Sequence, residues 1–229
     1  MRPLYLFVTI CCLLAGWSCR PGIVFGEPQP AELPALGEIP RAYHGTFWCA
    51  AEAASLKIDR SAMVRRKELP IRLHKDEVAQ DQRLAYANGR LQVLDWEADF
   101  PAQMLGDTLV ATVVLRDTVF ALGGHQVLKG AQGHLVLNAP LDHGAWAVTV
   151  ASLTTWGRLS FSRASLPEDL ERLKDIVPLD SVSHLGQRET QVLIRPTRAQ
   201  FFRLLQEGVL FTGDCTQYER VAPLDPAHL

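Results

Sequence analysis

The sequence predicts a mainly β protein, an antiparallel meander closing into a barrel, with two short helices late in the chain. Three observations carry this. From Tyr43 onward apolar residues recur with period two in short segments, the spacing that places alternate side chains on one face of a strand. Gly, Asn and Asp punctuate the segments, and Asn88-Gly89 is the strongest hairpin signal, because a type I′ turn needs two positive φ angles. Late in the chain, two stretches opened by capping-box sequences switch to helical spacing.

The strands follow in order. Phe47 and Cys49 alternate with Trp48, Leu56 and Ile58 flank Lys57, and Ile71 and Leu73 flank Arg72. Leu84-Ala85-Tyr86 and Leu91-Gln92-Val93 bracket the Asn-Gly turn. Leu109, Ala111, Val113 and Leu115 make the most apolar strand, which Arg116-Asp117 is expected to turn into Val119-Phe120-Ala121-Leu122. Leu135-Val136-Leu137, residues 146–150, Leu159-Ser160-Phe161 and residues 216–221 bring the total to about ten to twelve. The first helix opens at Ser165-Leu166-Pro167-Glu168, carries Leu170, Leu173, Ile176 and Val177, and stops at Pro178. The second opens at Thr197-Arg198-Ala199-Gln200, carries Phe201, Leu204 and Leu205, and closes at Gly208. Helices of about ten residues do not persist alone, so each stripe must lie on the sheet or across an open barrel end.

The N-terminus reads as an export signal. After Arg2, residues 4–15 are apolar and uncharged, too short to span a bilayer and of the length of a secretory h-region. Two processing routes fit equally: cleavage after Val24-Phe25-Gly26, or lipid attachment at Cys19, which follows Ser18. Residues 1–26 are thus assigned to the leader. Residues 27–40, with Pro28, Pro30, Pro34 and Pro40, form a polyproline tether. A β domain covers 41–221, and 222–229 form a loose tail. The expected location is the periplasm or outer envelope, with membrane contact only through a lipid anchor. Of five cysteines, Cys11 and Cys12 leave with the leader and Cys19 is removed or lipidated. Cys49, near the end of the first barrel strand, and Cys215, at the start of the last, are left to pair as a disulfide in an oxidising compartment.

Charge is nearly balanced, 23 Lys+Arg against 25 Asp+Glu, which excludes the basic face of a nucleic-acid binder. The seven histidines lack His-x-x-x-His spacing, and the nearest metal-like grouping is His125 and His134 with Asp142-His143, all better read as turn and surface residues. His74-Lys75-Asp76-Glu77 reads as a solvated loop. Nucleophile-elbow and phosphate-loop motifs are absent, so no cofactor is expected. Trp48, Trp96, Trp146 and Trp156 all lie near strand patterns. They either plug the core or gather around a ligand cavity.

Tyr43-His44-Gly45-Thr46-Phe47-Trp48 resembles the Gly-x-x-Trp entry of small lipocalin-like barrels, and Leu56-Lys57-Ile58 with the later strand-Asn-Gly-strand fits the same pattern. Leu137-Asn138 before Trp146, then Val192-Leu193-Ile194-Arg195-Pro196-Thr197, Phe201-Phe202, Leu204-Leu205, Phe211 and Tyr218 are similar to uncharacterised secreted proteins and lipoproteins of Bacteroidetes type. The resemblance implies a lipocalin-like (calycin-like) barrel and export. It transfers no activity. The expected function is a binding module for a small apolar ligand or an envelope protein. The alternative is an envelope hydrolase built from rim-loop residues such as His125, Asp142 and His143.

Overall fold

The computed structural model describes residues 22–96, 98–167, 169–185, 189–211 and 216–221, and these are mainly β. The strands are β1 (Ile23–Phe25), β2 (Gly45–Cys49), β3 (Ala54–Ile58), β4 (Ala62–His74), β5 (Leu84–Ala87), β6 (Arg90–Val93), β7 (Ala98–Leu105) and β8 (Thr108–Ala121). After them come β9 (Val127–Ala131), β10 (His134–Pro140), β11 (Trp146–Leu153), β12 (Arg158–Arg163), β13 (Leu179–Leu185), β14 (Glu189–Ile194) and β15 (Thr216–Arg220). Helices are α1 (Lys75–Gln80), α2 (Leu170–Lys174) and α3 (Arg198–Gln206). Two compact units emerge, one holding Arg66–Asp117 and the other Arg20–Arg65 with Thr118–Leu229.

The smaller unit is a sheet in the order β4-β8-β7-β6-β5. Asn88 and Gly89 both take positive φ and Ala87 pairs with Arg90, as a type I′ hairpin requires. Only one face is well covered: Leu73, Leu91, Leu109 and Ala111 are buried there with Val78 of α1. Two sequence expectations change here. Arg116-Asp117 does not turn the chain, because β8 runs unbroken from Thr108 to Ala121, and β-branched neighbours on both sides favour extension. His74-Lys75-Asp76-Glu77 is not a loop but the start of α1. The His74 ring accepts from the Asp76 amide and the Glu77 carboxylate accepts from the His74 amide.

In the larger unit the order is β13-β14-β1-β11-β12-β15-β2-β3-β4, with β9 and β10 branching from the other edge of β11. The expected pairing of first and last barrel strands is present: β15 lies antiparallel to β2, with Glu219 opposite Trp48 and Arg220 opposite Phe47. The order nevertheless does not return on itself, so the sheet is open rather than a closed barrel. One core fills its inner face, with Phe47, Leu56, Met63, Phe120, Leu128 and Leu159 at most 1% exposed. A second core lies across β10 and β11. Leu135, Leu137 and Ala151 face the first core, while Val136, Val148 and Val150 face the second, formed with β1, β14, α2 and α3.

The late helices cover that second core. Thr197 caps α3 as the sequence predicts, its hydroxyl accepting from the Gln200 amide while the Gln200 side chain takes the Thr197 amide. Phe201 and Leu204 are fully buried, each burial stabilising by about 1.5–3 kcal/mol. Gly208, at φ 61, ends the helix. The earlier helix begins later than expected. Asp169, not Ser165, caps α2 by accepting from the Glu171 and Arg172 amides, and Ser165 instead hydrogen-bonds Leu210.

The largest correction concerns residues 22–40. Gly22 to Gly26, assigned to the leader, supply β1. It runs parallel to β14, and the Val192 amide donates to Gly22 at 2.8 Å and the Gly26 amide to Ile194 at 3.0 Å. Residues 27–40 are no free tether. Asn138, fully buried, accepts from the Gln29 amide at 2.6 Å and donates to its carbonyl at 2.8 Å. The Lys129 ammonium donates to the carbonyls of Pro28 and Pro30, and the Leu36 amide donates to Leu128 on β9. A proline-rich chain leaves its carbonyls without internal partners, and here β9 and β10 supply donors for them. Ala31 and Ile39 are buried along the way, so the folded part includes residues 22–40 rather than starting near Arg41.

Candidate functional site

The β11–β12 connection is a tight turn in which the Thr154 amide donates to Arg158, the Gly157 amide to Thr154, and the Arg158 amide to the Thr154 hydroxyl. Gly157 sits at φ 79, and a side chain there would press on Arg220. This geometry leaves Trp156 at the tip with 94% of its surface exposed. Beside it, Thr154, Arg158, Glu219 and Arg220 line a shallow concavity. Arg220 is committed to the fold: its guanidinium donates to the His44 and Ala42 carbonyls and lies 4.6 Å over the Phe47 ring. Arg158 and Glu219 are different. They are cross-strand neighbours 3.9 Å apart and both well exposed, a pair of little value to stability and free to re-pair with a ligand. Trp48, 46% exposed, is paired with Glu219 on the next strand and extends the same face.

The four tryptophans singled out from sequence do not share one cavity. Trp48 and Trp156 are on the outside, Trp146 packs against the helix-covered core, and the Trp96 side chain lies outside the described residues. The fully buried large side chains of the inner core are phenylalanine, methionine and aliphatic residues, none of them tryptophan.

His125 and the Asp142-His143 turn are exposed, and His143 takes a left-handed φ of 63. The structure does not bring them together with His134, and among the described residues no three His, Cys, Asp or Glu side chains gather as metal ligands. His134 does something the sequence did not announce: its Nδ1 lies 2.7 Å from the Ser152 hydroxyl across β10 and β11. That is the distance of a base to a nucleophile. Among the described residues, however, no carboxylate is hydrogen-bonded to the ring, and the pair follows directly from strand register.

A second grouping missed in sequence adjoins the inner core through Tyr218. Arg65 pairs with Glu52 at 3.1 Å and hydrogen-bonds the Tyr218 hydroxyl, whose pKa is pushed up to about 12 by burial and then by the Glu52 charge. Cys49 is buried in the same core as Tyr218, which lies three residues from Cys215 in sequence. Cys215 and Cys19 lie outside the described residues.

Among the described residues, the larger unit joins a sheet packed on two apolar cores to an exposed aromatic turn. Comparison with family models, with curated proteins and with solved structures finds no match for this chain.

Proposed function

We propose that this chain is an exported interaction module of the cell envelope, which engages an envelope protein through the Trp156 turn. The carrying observation is the exposure of Trp156 next to an Arg158–Glu219 pair of low structural value. Tryptophan and arginine dominate the energetics of protein interfaces, because a rigid ring and a planar cation gain much contact for little lost entropy. The proposal includes a calycin-like β wall in the larger unit. Pairing of β2 with β15 supports it, and residues 27–40 hydrogen-bond both β9, through Leu36 and Leu128, and the β3–β4 turn, through Ile39 and Arg60. The fully buried phenylalanine, methionine and aliphatic side chains of the inner core support binding at the outer surface rather than of an apolar ligand inside. In an oxidising envelope Cys49 pairs with Cys215, and thiol titration of denatured, unreduced protein should find neither free.

Placing a photo-crosslinking amino acid at position 156 in cells expressing the full chain should yield a discrete protein adduct, which Arg158→Glu abolishes. A lipid retained on the purified protein in native mass spectrometry, with no adduct at 156, would return the function to an interior cavity. The hydrolase alternative draws on the His134–Ser152 contact instead of the expected His125, Asp142 and His143. Labelling of Ser152 by a fluorophosphonate probe would favour it.

A further inference from the structure

Strand β1 constrains where the leader ends. Ile23, Val24 and Phe25 are at most 3% exposed, and the Phe25 ring meets that of Phe201 edge-on, with centroids 6.3 Å apart. Both edges of β1 are used, by β14 in parallel and by β11 through Phe25 and Trp146. Arg195, tied to Asp180 at 2.6 Å, lies against Gly26 so closely that a Cβ there would sit 2.6 Å from its guanidinium carbon. Cleavage after Gly26 would strip this strand from the sheet, uncovering Val192, Ile194 and Phe201 in the second core. Leader removal compatible with the fold must therefore occur before Gly22.

Between the end of the apolar run and Gly22 the sequence is Ala15-Gly16-Trp17-Ser18-Cys19-Arg20-Pro21. Leader cleavage is best met by small residues three before and one before the cut bond. A cut after Gly16 places Leu14 in the outer position, and a cut after Cys19 places Trp17 there. Gly16 and Ser18 satisfy both requirements for one bond. We infer that the leader is cut between Ser18 and Cys19, so that the exported chain begins at Cys19 and keeps β1 as a permanent strand. Acylation at Cys19 uses the same bond, so the two routes read from the sequence converge on one N-terminus.

This rests on the export reading, and the test separates the two. Intact mass and N-terminal sequencing of protein from the envelope of cells expressing the full chain should give a start at Cys19, acylated or free. A start at Glu27 overturns the inference and leaves export standing, whereas an intact Met1 in the cytoplasm overturns both. Ser18→Lys should cause unprocessed precursor to accumulate, and unchanged processing would exclude this bond. Independently of export, Phe25→Asp in the full chain should lower the yield of cooperatively folding protein more than tenfold while Phe25→Leu preserves it. Equal yields would show that β1 is dispensable and remove the reason for moving the cut.

Discussion

Strand β10 in the larger unit and strand β7 in the smaller one show opposite ways of using a β-strand. Along β10 the four residues from Leu135 to Asn138 are all buried, since one face lines the inner core and the other receives the helix-covered core. Along β7 coverage alternates strictly: Ala98, Phe100, Ala102 and Met104 are partly covered, while Asp99, Pro101, Gln103 and Leu105 are exposed. A strand between two cores is held from both sides. A strand with one wet face depends on a single thin layer, here Leu73, Val78, Leu91, Leu109 and Ala111. Stability should therefore be distributed unevenly, with the wall of the larger unit opening last.

The strongest way to break this comparison is to remove the cover from the wall. Leu204→Asp buries an unpaired carboxylate between α3 and the sheet and should cost about 4 kcal/mol or more, measured by denaturant unfolding. An unchanged midpoint would mean that α3 contributes nothing to the second core. A smaller effect is expected from Leu91→Ala, about 2 kcal/mol, at the low end for a buried leucine because a thin layer can relax into the void. Its more telling readout is amide hydrogen exchange. Protection should fall in β5, β6 and β7 and stay unchanged in α3, whereas an equal fall in both would make the chain one cooperative body.

The alkaline limb of stability sharpens the comparison from the larger unit's side. Tyr218 is buried with a pKa raised from its ordinary 10.0 to about 12, through desolvation first and the Glu52 carboxylate second. Below pH 10 folded and unfolded chains both keep the proton, and the contribution of this phenol is whole. Between pH 10 and about 12 the unfolded chain releases its proton first, so stability falls as pH rises, at most about 1.4 kcal/mol per pH unit. Tyr218→Phe should flatten that limb. Equal slopes in the two proteins would place the phenol in water.

Where coverage is one-sided, the sequence was readable: Asn88-Gly89 and the Leu91 strand are found as expected, because alternation and turn chemistry are local signals. The cap and stripe of α3 were equally legible, Thr197 and Gln200 being adjacent to the apolar spacing they start. Strand β7 was missed, since Pro101 interrupts it at a position whose side chain faces solvent. Strand β1 and residues 27–40 were misassigned for a different reason. A short apolar strand beside a stretch that reads as an export signal looks like part of it, and a proline-rich stretch looks free unless its distant partners, Asn138 and Lys129, are known. The candidate surface is the least local feature of all. Trp156, Arg158, Glu219 and Trp48 share a face only because β12, β15 and β2 are neighbours, a register that no window of sequence contains.

The smallest effect is expected at that surface, and it separates two tryptophans that look alike in sequence. Trp146 begins β11, opposite both Phe25 and Pro140, and packs on the helix-covered core, so Trp146→Ala should destabilise measurably. Trp156 touches solvent over almost all its area, and its turn is held by Thr154 and Gly157 without help from the ring. Trp156→Ala should therefore leave the unfolding midpoint within about 0.5 kcal/mol of the parent. A large ring left in water and not needed for folding gives the protein no stability, which is what the proposed interaction surface requires of it. A destabilisation of Trp156→Ala as large as that of Trp146→Ala would instead make the ring part of the fold, and the interaction surface would lose the residue on which it depends.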